Sequence, residues 1–255
     1  MIFTDYLLFS DLNQFIIIGI IILISQIIYA TLGFGSGMFA VSIMAFLYGK
    51  LEFIVPFFTL VCLPTEILIS YKDRSEINLK NTWIFLIGII PALLVGSILL
   101  KNSENRIYLL ILGSIILLLA IYYIIGEKRF KFDFKGFLWV PIFSIFSGVL
   151  GGLFGMAGPP LIFYHKHKNL NKRQFRVALL SIFVIMTFFR VVFYFFLKII
   201  TPAMILTSLS VVPFALIGLW LGNKLHHIVP ENVFRILISV ALGISGLLII
   251  LKNML

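Results

Sequence analysis

Sorted into apolar and polar positions, the chain falls into long greasy runs separated by short charged stretches or by glycine and proline. Ten runs are bounded in this way: about 13–32, 36–49, 51–71, 82–100, 107–125, 136–150, 153–165, 176–197, 202–222 and 233–251. The pattern is that of several membrane helices and not the weak alternation of a membrane barrel. Most runs approach the ~20 residues that cross ~30 Å of hydrocarbon. The runs 36–49, 136–150 and 153–165 are too short, rising only about 20 Å each as helix. They flank two interruptions, "GFGSG" at Gly33–Gly37 and "GGLFGMAGPP" at Gly151–Pro160. Glycine and proline cost a helix interior about 1 and about 3 kcal/mol relative to alanine, so such clusters inside hydrophobic runs need a reason.

Composition fixes the class. Of the 255 residues 61% are hydrophobic and only 12% charged, with a mean hydropathy of +1.14, whereas in a soluble domain about a quarter of residues are charged. The expectation is an all-α integral membrane protein of the cytoplasmic membrane, one membrane domain over 1–255, with no water-soluble domain left over. The single cysteine, Cys62, lies inside an apolar run; it allows no intramolecular disulfide and is read as core packing. Asp5 and Asp11, with no Lys or Arg, precede the first run, the opposite of a signal peptide's basic start. That segment is therefore expected to stay in the mature protein.

The net charge of +10 would suggest nucleic acid in a soluble protein, but here the basic residues sit in loops and report topology. No nucleic-acid partner is expected. "GEKRFKFDFK" (126–135) and "HKHKNLNKRQFR" (165–176) are the most basic loops and belong in the cytoplasm by the positive-inside rule. The chain between them must enter and leave on one side, as a hairpin with its tip in the membrane. Counting outward, 72–80 and 223–235 also fall inside. Fourteen of the 20 basic residues are then cytoplasmic, Lys50, Lys101, Arg106, Lys198 and Lys252 are outside, and Arg190 lies in the membrane. Both termini are expected outside.

Sliding the second half over the first by 122 residues superposes Gly33–Gly37 on Gly155–Pro159, Pro91 on Pro213 and Gly96 on Gly218. After a five-residue insertion, Glu104–Asn105 lands on Glu231–Asn232. Each half reads as one intramembrane hairpin followed by three transmembrane helices. Repeat one covers about 13–125, a cytoplasmic linker 126–135, and repeat two about 136–251. Three crossings is an odd number, so the halves insert with inverted topology, an arrangement that recurs in transporters built on broken helices.

Backbone freed at a break persists in a membrane only where protein buries it or where it lines a wet cavity. Helix N-termini at such a place present unpaired N–H groups and about half a positive charge, which suits an anion. Ser36, Thr31, Tyr29 and Tyr164 could add hydroxyls. "GFGSG" is neither a Walker loop nor a dinucleotide fingerprint, lacking the Gly-Lys-Ser/Thr of the one and the preceding strand of the other. Two ionisable residues lie within apolar runs. Arg190 either snorkels to headgroups or faces the cavity and holds an anion. Glu66, two residues after Pro64, is read first as snorkelling or capping freed backbone and second as a coupling group. The depths counted from their helix ends differ by about 13 Å, which argues against a direct pair. His165, His167, His226 and His227 lie in or beside loops without a carboxylate or thiolate cluster, so no metal site and no cofactor are expected.

"GGLFGMAGPPLIFY", the basic loop after it and "KRQFRVAL" resemble the C-terminal half signature of the TauE/SafE sulfite-exporter family of membrane permeases. "GFGSGMFAVSIMAFLYG" is similar to its N-terminal counterpart, so the resemblance spans essentially the whole chain. It implies two inverted modules, each with an intramembrane hairpin, and transport of small anions or organosulfur compounds such as sulfite or sulfonates. Carried over by position, its binding candidates are Gly33, Gly35, Ser36 and Gly37 in one hairpin, Gly155, Gly158, Pro159 and Pro160 in the other, and Arg176 in the matching "FR". The first half lacks a proline after its glycines and "GMAG" replaces a more glycine-rich run, which leaves the hairpins unequal in sequence and the ligand open.

The sequence thus predicts a secondary transporter moving a small, sulfur-containing anion by alternating access around a midplane site. Arg190 joins the ten-residue candidate set, the bilayer is a further partner, and a proton is one candidate coupling ion. A passive anion channel of the same fold is the first alternative. An enzyme would need a nucleophile or metal cluster at depth, which these residues do not supply.

Overall fold

The computed structural model describes residues 9–72, 79–102, 106–122, 139–166, 172–225 and 231–254. Among them are ten helices and no strand: α1 (Leu12–Leu32), α2 (Ser36–Tyr48), α3 (Leu51–Lys72), α4 (Leu79–Lys101), α5 (Arg106–Ile121), α6 (Trp139–Phe154), α7 (Gly158–Lys166), α8 (Lys172–Phe196), α9 (Pro202–Leu225) and α10 (Glu231–Met254). Stretches within α1, α3, α4, α8 and α9 are long and apolar enough to cross a membrane. The linker 126–135, Glu104, Asn105, His167, His226 and His227 lie outside the described residues.

The helices begin and end where local chemistry tells them to. At the start of α1 the Asp11 carboxylate accepts the Gln14 N–H at 2.7 Å, an N-cap that satisfies an otherwise orphan donor. Helix α1 stops at Gly33, whose φ of 82° is left-handed and whose N–H returns to the Tyr29 carbonyl at 2.7 Å. Prolines inside α3, α4 and α9 each remove an intrahelical hydrogen bond.

In lipid there is little apolar driving force between helices, so close backbone approach does the packing. The two halves are interleaved in this way: α4 lies along α6, α1 along α9 and α5 along α10, while α3 packs on both α8 and α9 and α4 also meets α8. The seams are lined by small residues. A Cβ at Gly152 would sit 2.3 Å from the Leu93 carbonyl oxygen on α4, and one at Gly218 would sit 2.3 Å from the Leu23 carbonyl oxygen on α1. Neither seam admits a side chain without moving backbone. Outward, Ile87, Leu118, Phe195, Phe196 and Trp220 are exposed, the surface a bilayer solvates.

The second interruption lies further along the chain than its sequence suggests. The expected boundary between 150 and 153 is corrected: α6 runs through Gly151 and Gly152 to Phe154, and the break is Gly155, Met156 and Ala157. The reason is that Gly151 and Gly152 are helical packing surface, Gly152 against α4 and Gly151 within reach of Met186 and Ala157. The first interruption falls where expected, a short α2 following a break at 33–35. The two arms it joins return to one end of the molecule, where Gln14 of α1, Tyr48 of α2 and Lys50 line a common cleft. Lys252, near the end of α10, joins that end by donating to the Phe46 carbonyl at 2.6 Å.

Candidate functional site

The first break leaves α2 with an open N-terminus. Gly35, the N-cap residue, has φ 94°, a left-handed conformation that glycine adopts without strain, and no side chain caps the helix. The first backbone bond back into the cap runs from Phe39 N–H to the Gly35 carbonyl. The N–H groups of Ser36, Gly37 and Met38 therefore have no carbonyl of their own helix to donate to.

The second break is tied down from α8. Gly155 has φ 68°, and its N–H donates to the Gly151 carbonyl at 3.1 Å. That carbonyl also accepts from Arg190 Nη1 at 3.1 Å, while the neighbouring Gly152 carbonyl accepts from the Tyr194 hydroxyl at 2.6 Å. The free C-terminal end of α6, the negative end of its dipole, is thus met by a cation and a hydroxyl. Ser147 Oγ donates to the Ala157 carbonyl at 2.6 Å, pinning the loop itself. Helix α7 then opens with Gly158, Pro159 and Pro160. The prolines preset the helical φ but carry no N–H.

The two breaks touch. A Cβ at Gly37 would lie 2.4 Å from the Gly155 carbonyl oxygen, so one hairpin's backbone rests on the other's. Beside this contact is a cavity of about 50 Å³, walled on one side by Gly35, Ser36 and Gly37 and on the other by Gly155 and Gly158. A water needs some 10–15 Å³ of such space, so the volume suits a few waters or one small polyatomic anion. Tyr29 of α1, Glu66 of α3, and Thr187 and Arg190 of α8 complete its polar wall, with Phe34, Phe58, Phe183 and Met186 as the apolar part. Arg190 is 5% exposed and its Nη2 donates to Thr187 Oγ1 at 3.2 Å. Arg190 Nε, Glu66 Oε2 and the Tyr29 hydroxyl are buried with no hydrogen-bond partner. Unpaired polar atoms at that depth are costly, and here the residues that carry them line one small space.

The sequence family described as sulfite exporter TauE/SafE matches residues 17–249, nearly the whole chain. This chain belongs to the TauE/SafE sulfite exporter family. Its members are transporters and not enzymes, and this one is a multi-pass membrane permease. It is 25% identical over 224 residues to a protein of Cupriavidus necator (strain ATCC 17699 / DSM 428 / KCTC 22496 / NCIMB 10442 / H16 / Stanier 337) named probable sulfite/organosulfonate exporter TauE, an overlap of 86% of this chain and 87% of that one. No solved structure matches.

Within this TauE/SafE member, six of the ten binding candidates share the cavity wall: Gly35, Ser36, Gly37, Gly155, Gly158 and Arg190. Gly33, Pro159, Pro160 and Arg176 do not form it. The Arg176 stem instead packs over Gly33, its Cγ 2.8 Å from where a Cβ would stand. Arg190 does not snorkel. Neither does Glu66, 7% exposed, so the snorkelling half of its first reading is corrected. Glu66 and Arg190 nonetheless line one cavity, although their depths counted from the helix ends differ by about 13 Å. Thr187 and Tyr194 went unnoticed, although their spacing of three before and four after Arg190 puts all three on one face of α8. Among the described residues no His, Cys, Asp or Glu cluster could hold a metal.

Proposed function

We propose that the chain is a secondary transporter moving a small sulfur-containing anion, sulfite or an organosulfonate, across the cytoplasmic membrane by alternating access, with the anion seated between the two breaks. The observation that carries this reading is the cavity itself, where an uncapped α2 N-terminus and the Arg190 guanidinium converge. An oxyanion there gains charge-assisted hydrogen bonds from backbone and side chain at once. The Cupriavidus relative's name supplies the sulfur chemistry. The chain carries no ATP-binding motif, so the energy comes from an ion gradient or from the substrate's own gradient, with a proton as the candidate coupling ion.

Alternating access draws support from the packing. Under the 122-residue correspondence α1 matches α6, α3 matches α8, α4 matches α9 and α5 matches α10. The α4–α6 contact then exchanges with α9–α1, and α3–α9 with α8–α4. A molecule whose contacts exchange in this way can rock between two arrangements that expose the same site to opposite sides. Repeat one (about 13–125) and repeat two (about 136–251) form one domain, with both termini outside.

The test is counterflow in proteoliposomes of purified protein, loaded with unlabelled sulfite and given labelled sulfite outside, with sulfate, thiosulfate, taurine and sulfoacetate as competitors. Saturable counterflow inhibited by the sulfur oxyanions is expected. Flux that never saturates would assign a passive channel instead.

A further inference from the structure

Glu66 is the acid in the wall of the cavity, on a helix the glycine breaks do not involve. We propose that it is the proton-carrying group of the transport cycle, alternating with the anion as the partner of Arg190. This rests on the transporter reading above and names the residue that couples it.

The argument is one of charge. Glu66 and Arg190 face one cavity, buried at 7% and 5% exposure, and each keeps a polar atom unpartnered, Oε2 and Nε. Around Glu66 the other groups with charge or a titratable proton are Tyr29 on α1, Cys62 one turn earlier on α3 and, beyond Tyr29, Arg176 on α8. Helix α6 has no ionisable residue, and those of α2, α4 and α9 lie at helix ends. With the cavity empty, a carboxylate and a guanidinium balance. A singly charged anion arriving beside Arg190 would leave one uncompensated negative charge in a buried space, which is expensive. A proton from the water on the open side restores neutrality by forming an O–H bond on the Glu66 carboxylate. No other bond forms or breaks. When the anion leaves, the proton leaves too and Arg190 recovers its carboxylate. Anion and proton therefore cross in the same direction, one for one. The unpartnered Tyr29 hydroxyl can donate to the carboxylate in one state and to the anion in the other.

The experiment compares native protein with Glu66→Gln in proteoliposomes, counting protons with a trapped pH dye against labelled sulfite. Sulfite itself carries protons, so the comparison is made at one pH and the difference belongs to the protein. Whatever its residual counterflow rate, Glu66→Gln is expected to lose all acceleration by an imposed pH gradient and to move one proton fewer per sulfite. An unchanged gradient response in Glu66→Gln overturns the assignment and leaves the transporter reading standing. Absent counterflow in the native protein overturns both. If Glu66→Gln does not insert, the native protein decides at a pH where sulfite is singly charged hydrogensulfite. There an imposed membrane potential should leave uptake unchanged and one proton should accompany each anion, whereas potential-driven uptake without a proton overturns the proposal.

Discussion

The break at 33–35 and the break at 155–157 interrupt similar hydrophobic runs with similar glycines, yet they use their freed backbone in opposite ways. The first exposes donors: no side chain caps α2, and Ser36, Gly37 and Met38 keep their N–H groups. The second hides acceptors: Arg190 and Tyr194 reach from α8 to the Gly151 and Gly152 carbonyls, and two prolines strip donors from the start of α7. On the proposed reading one break is an anion cradle made of backbone, and the other is a braced wall that holds the Arg190 cation. Two similar breaks thus need not be two similar sites.

Breaking the contact between them should have the largest effect. Gly37→Ala puts a methyl where the Gly155 carbonyl oxygen stands 2.4 Å away. Overpacking of that kind costs about 1–3 kcal/mol or more, so sulfite counterflow should vanish and the thermal midpoint should fall. Arg190→Gln comes next. A hydrogen bond to a charged group contributes about 1.5–3 kcal/mol, so the half-saturating sulfite concentration should rise roughly 10- to 150-fold. Tyr194→Phe removes the 2.6 Å bond to the Gly152 carbonyl. Leaving that buried acceptor unsatisfied should cost about 1–3 kcal/mol of stability, read by denaturation, while the order of competing anions stays as in the native protein. Pro159→Ala is the smallest change. It returns one N–H to the first turn of α7, and a helix-terminus contribution of about 0.3–1 kcal/mol should tighten sulfite binding by no more than about fivefold.

Most of the frame was legible because a membrane reduces the options. Runs bounded by charge, glycine and proline located the ten helices of the described residues, and α2 fell at Ser36–Tyr48 against an expected 36–49. The start of the second break was misplaced because glycine signals two things in a membrane helix, a bend and a close approach, and Gly151 and Gly152 do the second. The place of Glu66 in the cavity wall was not legible, because its depth was counted along one helix while the space it lines is made with other helices. The capping of α6 by Arg190 and Tyr194 is a tertiary contact between residues about 40 apart, which no local pattern announces.

The central claim is that the anion occupies the space beside Gly158. A Cβ there would meet only ordinary contacts, Ile162 Cδ1 at 3.5 Å and Phe183 Cζ at 3.7 Å, so Gly158→Ala fits whereas the longer side chain of Gly158→Leu must enter the cavity. The decisive measurement is equilibrium binding of labelled sulfite to the purified native protein and these two variants, each with its thermal midpoint. The account predicts saturable binding in the native protein and Gly158→Ala and none in Gly158→Leu, at similar midpoints. Native-like sulfite binding by a folded Gly158→Leu would contradict it.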